Sequence, residues 1–66
     1  MKIEYDQQAD AMYIRLRAGD VAESEEVRPG VVLDFDTPGQ VLGIEMLDVS
    51  KRTDNPRELA MELIGD

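Results

Sequence analysis

Asp34, Asp36 and Glu45 are the side chains through which this chain could do chemistry. Asp34 and Asp36 sit two residues apart, and Glu45 follows a turn signal at Thr37-Pro38-Gly39-Gln40. If Val31 to Leu47 folds back on itself at that turn, period-two alternation places all three carboxylates on one face. Their oxygens are hard ligands suited to Mg²⁺, Mn²⁺ or Ca²⁺, so the three form a candidate metal site. Paired carboxylates can also perform acid–base work on a small molecule. The competing role is plain solvation, because alternating strands turn polar residues outward in any case.

The spacing from Asp34 to Glu45 also resembles a calcium loop of the EF-hand type, with acids at positions 1 and 3, Gly39 at 6 and Glu45 at 12. Pro38 at the fifth position offers no side-chain oxygen, and the flanks alternate as strands where that motif needs helices. Other chemistry is excluded by residue type. The chain has no Cys and no His, which removes Ser-His-Asp and Cys-His catalysis and the usual zinc ligands. Gly19, Gly30, Gly39 and Gly43 are scattered singly, so no phosphate-cradling loop is present. No catalytic residue and no cofactor are assigned, and the chain reads as a non-enzyme. Tyr13, Arg15 and Arg17 make a small aromatic-basic patch, too sparse for a single-stranded RNA platform. Its charges are expected to pair with Glu4 and Asp20.

Positioning the carboxylates is a matter of strands. Lys2 to Asp6 alternates, with Ile3 and Tyr5 on one side. Ala11 to Arg17 alternates too, with Met12, Ile14 and Leu16 sharing a face. Placing Tyr5 opposite Met12 sets Asp6 opposite Ala11 and leaves Gln7 to Asp10 as a four-residue hairpin loop. Ala18-Gly19 allows a tight turn into Val21 to Val27, the weakest strand signal. Glu23 and Glu25 would point inward there, which suits an edge strand. After Arg28-Pro29-Gly30, the inward residues are Val31, Leu33 and Phe35, then Leu42, Ile44 and Met46. Phe35 is expected opposite Leu42, Leu33 opposite Ile44, and Asp34 opposite Gly43, whose missing side chain marks a close approach or a bend. Asp48 to Asp54 reads as a polar linker with room for one helical turn. The period then changes. Asn55 is a cap, Pro56 a first helical residue, and Leu59, Ala60, Leu63 and Ile64 an apolar stripe ending at Gly65.

The expected fold is therefore α+β: one domain over residues 1–66, with an antiparallel β-meander of four to five strands at about 2–47 and one C-terminal helix at about 56–64. A chain of 66 residues has a small core that usually needs a staple or a partner. One helix covers about 10 Å of a sheet about 19 Å wide, and outward Ala11, Tyr13, Val32 and Val41 add further apolar surface. A homodimer is the expected answer. With 15 acids against 7 bases the net charge is −8, which repels a nucleic-acid backbone or an anionic membrane and favours a basic protein partner. No stretch approaches the length of a membrane helix, and a cytoplasmic location is expected.

Tyr5-Asp6, Ala9-Asp10-Ala11, Tyr13-Ile14, Val27, Pro29-Gly30-Val31, Asp34, Asp36, Gly39 and Gly43-Ile44-Glu45 together resemble a short prokaryotic family, Domain of Unknown Function 2283. The resemblance spans about residues 1–50. It implies a small, acidic, stand-alone protein with no assigned activity, so it carries over no site residue. The residues and the resemblance lead to one expectation, a non-enzymatic homodimeric protein–protein interaction module, in one form an antitoxin-like partner of a basic protein. The alternative is a metal- or small-molecule-binding module using Asp34, Asp36 and Glu45.

Overall fold

A computed structural model describes residues 1–65. Five strands form one antiparallel sheet: β1 Lys2–Asp6, β2 Ala11–Arg15, β3 Glu23–Arg28, β4 Val31–Phe35 and β5 Val41–Leu47. A single 3-10 turn, Val49–Lys51, follows β5. The spatial order is β1-β2-β5-β4-β3. Three hairpins supply three of the contacts, and β5 slots in beside β2 to supply the fourth.

The β1–β2 register is the one that matching apolar faces demands, from Lys2 opposite Arg15 to Asp6 opposite Ala11. In β4–β5, Leu33 lies opposite Ile44 and Asp34 opposite Gly43, as alternation predicts. The next pair departs from expectation. Phe35 meets Val41, so Leu42 is an extra residue in a β-bulge. Val41 thus shares the side of Phe35 instead of pointing outward. β3 lies at the sheet edge, as its acidic inner positions suggested, and Glu23 and Glu25 face Phe35 and Leu33 across the ladder.

The Ala18-Gly19 stretch does not make a tight turn between neighbouring strands. Residues 16–22 instead cross one end of the sheet from β2 to β3, passing β5 and β4. Leu16 N donates to Leu42 O at 2.8 Å, and Ala22 N to Phe35 O at 2.8 Å. This crossing closes over the bulged Leu42, which is 1% exposed. At the other end of β5, the 3-10 turn tucks in Val49, which is 2% exposed. Among the described residues these two are the fully buried apolar side chains.

The C-terminal helix does not form, so the fold is all-β and the α+β expectation is corrected. Its start signal is present: Asn55 Oδ1 accepts from Arg57 N at 3.1 Å, and Asn55 O accepts from Glu58 N at 3.1 Å. The turn fails to propagate because nucleation is costly and a helix under about 12 residues needs tertiary burial. The stripe finds none: Leu59 is 68% exposed, Leu63 96% and Ile64 85%, and Ala60 is exposed as well. The cap is a local signal, whereas a surface to receive the stripe is a tertiary one.

The result is a slab of 37 × 35 × 19 Å with a radius of gyration of 13.1 Å. A compact 66-residue domain has a radius of about 11 Å. One face of the sheet carries Ile3, Tyr5, Met12, Ile14, Val31, Leu33, Phe35, Val41, Ile44 and Met46, all half-buried.

Candidate functional site

The opposite, polar face holds the candidate carboxylates, and Gly43 organises it. Gly43 is buried in β5 between β2 and β4. A Cβ there would overlap the Tyr13 ring, 2.5 Å from Cζ. The absent side chain lets Tyr13 lean across β5 from β2, so that its hydroxyl donates to Asp34 Oδ2 on β4 at 3.0 Å. Asp34 Oδ1 accepts from Ser24 Oγ on β3 at 2.6 Å. One polar line thus ties β2, β4 and β3 over the top of β5. Arg15 lies over the Tyr13 ring, 5.7 Å from its centroid, at cation–π range.

Asp36 begins the β4–β5 turn. Its Oδ1 accepts from Gln40 N at 2.7 Å, and its Oδ2 pairs with Arg17 Nη2 at 2.5 Å. Arg17 also donates to Gln40 Oε1. The backbone N–H of Gln40 and the Arg17 guanidinium hold the Asp36 carboxyl below the usual carboxylate range. Arg17 therefore pairs with Asp36, not with Glu4 or Asp20; Glu4 pairs instead with Lys2 at 3.7 Å. Glu45 stands between Tyr13 and Val32 in the ladder.

The register puts Asp34 and Glu45 on one side of the hairpin, and Asp34 and Asp36 are each engaged by different partners. Among the described residues no group of three acids is close enough to hold a metal ion. The Tyr13 hydroxyl is no activated group either. Burial, and then its hydrogen bond to Asp34, push its pKa up, which keeps the phenol protonated. A general base needs the opposite shift. Between Glu4, Asp6 and Glu45 this face has a shallow groove floored by Ala9, Ala11 and Leu47.

A second cluster was not legible from spacing. Asp10, in a left-handed conformation with φ 51°, joins the β1–β2 loop to the end of β5. Its Oδ1 accepts from Tyr5 Oη at 2.8 Å and from Ser50 N at 3.0 Å, and its Oδ2 from Ser50 Oγ at 2.6 Å. Its backbone O accepts from Val49 N at 3.1 Å. The Ser50 and Tyr5 hydroxyls lower the Asp10 pKa, and the bond to Asp10 raises that of Tyr5. Asp6 caps the same loop, accepting from Gln8 N at 3.0 Å and Ala9 N at 3.2 Å. The 40-residue separation of Asp10 and Ser50 hides the pairing from any local pattern.

The quoted residues of the Tyr5-Asp6, Ala9-Asp10 and Gly43-Ile44-Glu45 pattern are thus largely architectural: loop caps, a long-range tie and a strand crossing. No curated protein and no solved structure matches the chain significantly. The family model described as Protein of unknown function (DUF2283) matches residues 2–50, which takes in all five strands and stops at the Ser50 that Asp10 holds. The chain belongs to the DUF2283 family of proteins of unknown function.

Proposed function

We propose that this protein is a non-enzymatic interaction module whose apolar sheet face packs against a second copy. The observation that carries this reading is surface area. The chain exposes 5353 Å², whereas a compact monomer of 7.4 kDa exposes about 4,200 Å². The excess, about 1,100 Å², is of the order that each partner contributes to a standard interface. An open sheet with ten half-buried apolar side chains on one face contributes to it, together with the exposed Leu59, Met61, Leu63 and Ile64. A second sheet laid on that face would build the two-layer core that one copy lacks.

Pairing through the apolar face leaves the polar faces outward. They carry Glu4, Asp6, Glu26 and Glu45, and only two ion pairs form among the described residues. Such a surface suits a basic protein partner, which is the second part of the proposal. Metal or small-molecule binding by Asp34, Asp36 and Glu45 is less favoured, because Tyr13, Ser24, Arg17 and Gln40 already engage the two aspartates.

Sedimentation equilibrium of the full chain tests the pairing, with a dimer expected at micromolar concentration. Leu33→Asp and Met12→Lys each place a charge on the apolar face and should yield monomers, with far-UV circular dichroism reporting that the sheet persists. A wild-type chain that stays monomeric at high micromolar concentration would sink the proposal.

A further inference from the structure

The sheet ends in two edges, β1 and β3, and they are built in opposite ways. Glu23, Glu25 and Glu26 crowd β3, and its register shifts between Glu26 and Arg28. A second copy laid along it would set glutamate beside glutamate on an irregular strand, and both devices keep further strands away. β1 has neither device. Its register with β2 runs unbroken from Lys2 to Asp6, and Lys2, Glu4 and Asp6 alternate with Ile3 and Tyr5.

The ladder decides which backbone groups of β1 are free. Leu16 N donates to Leu42 O, so Met12, Ile14 and Leu16 turn their backbone groups to β5. Ala11, Tyr13 and Arg15 turn theirs to β1, where they meet Asp6, Glu4 and Lys2. Ile3 and Tyr5 therefore point N–H and C=O away from the sheet. Among the described residues no backbone bond from outside the ladder reaches them.

Charge selects how a second β1 would fit there. An antiparallel copy with the two-fold axis at Glu4 sets two glutamates directly opposite, which is destabilising. With the axis at Ile3, the two Ile3 residues exchange both backbone bonds. Lys2 then falls opposite Glu4 of the other copy on each side of the axis, at the ~4.5 Å Cα spacing of the closer cross-strand pairs. Both side chains are exposed and already lie 3.7 Å apart within one strand.

We infer that β1 is a self-pairing edge, joining two copies into one continuous sheet with Lys2 of each opposite Glu4 of the other. A single strand makes this contact weaker than the apolar face, on which it does not depend.

The chain lacks Cys, so Lys2→Cys and Glu4→Cys chains, one of them ¹⁵N-labelled, can be mixed and oxidised. Mass spectrometry should find the disulfide from position 2 to position 4 in clear excess. That pairing alone brings the thiols into range and keeps one lysine–glutamate contact. Any other disulfide in excess, or all three in the proportions of random collision, overturns the inference. In parallel, the Leu33→Asp chain, expected to be monomeric at micromolar concentration, should dimerise towards millimolar concentration. Adding Lys2→Glu should raise that dissociation constant at least about tenfold, and Lys2→Glu/Glu4→Lys should restore it. A Leu33→Asp chain that never associates, or a charge swap that restores nothing, removes the edge contact. The apolar-face pairing is read separately, from the wild-type dimer at micromolar concentration, and survives either result.

Discussion

At the scale of single residues, the sheet is held by side chains that reach across strands, and Gly43 shows it most directly. Replacing Gly43 by Ala forces Tyr13 aside and breaks its bond to Asp34. A lost hydrogen bond costs about 1 kcal/mol and the overpacking a further ~1–2 kcal/mol. We expect Gly43→Ala to cost about 2–3 kcal/mol by urea denaturation. In a Tyr13→Ala background the same substitution should cost at least about 1 kcal/mol less, because the ring is gone and only the 3.1 Å approach to the Ile14 backbone oxygen remains. Additive effects would refute the contact. The titrating groups make a second prediction. Asp10 and Asp36 have folded pKa values lowered from the usual range. What they contribute is therefore present above the unfolded carboxylate value of about 3.9 and is lost as pH falls through their folded values. Tyr5 and Tyr13 are raised, so their contribution is present below about 10 and fades as pH climbs through their folded values. The urea midpoint should be flat at neutral pH and fall at both ends. Asp10→Asn should flatten the acid limb; an unchanged limb would mean that Asp10 carries no linkage.

At the scale of elements, the 3-10 turn and the β3–β4 turn are locked together by Arg52. Its Nε donates to Leu47 O at 2.7 Å and its Nη2 to Pro29 O at 2.7 Å, while Leu47 N donates to Gly30 O at 2.8 Å. Gly30 must be glycine twice over, for its φ of 76° and because a Cβ would strike the Arg52 guanidinium. Arg52→Lys cannot span both carbonyls with one ammonium. It should cost about 1 kcal/mol and speed amide exchange at Leu47; unchanged exchange there would remove Arg52 from the clamp. Neither link is visible in the sequence, because Arg52 sits 22 residues from Gly30 in a stretch that reads only as a polar linker. What was legible is what period two controls: the β1–β2 loop, the pairing of Asp34 with Gly43, the edge position of β3. The Leu42 bulge was not, since adding one residue preserves the alternation on either side of it. Strand order was not either. A tight turn at Ala18-Gly19 and a crossing over the sheet end use the same small residues, and only the β2–β5 contact chooses between them. The helix failed for the converse reason: its cap was read correctly, but a cap cannot supply the surface that its stripe required. Spacing within the hairpin cannot reveal the partners of Asp34 and Asp36, because Ser24, Tyr13 and Arg17 come from elsewhere in the chain.

For the whole molecule, two tendencies oppose each other in the proposed pair. Apolar burial draws two faces together, and a net charge of −8 on each copy pushes them apart. Glu23 and Glu25 sharpen the conflict, because they project from β3 on the apolar side, opposite Phe35 and Leu33. In the pair they lie at its rim. Their repulsion acts through solvent and is therefore screened by salt. Between about 20 mM and 0.5 M salt the screening length falls from about 20 Å to about 4 Å. Hydrophobic burial has no such dependence at these concentrations. The dimer should therefore tighten severalfold as salt rises, which sedimentation equilibrium can follow directly. A complex with a basic protein should respond with the opposite sign, since salt screens an attraction there. Glu23→Gln/Glu25→Gln should tighten the dimer at low salt, and that gain should vanish at high salt. A dimer that weakens with salt would show that charge attraction holds the copies together, and would move the interface from the apolar face to the polar one.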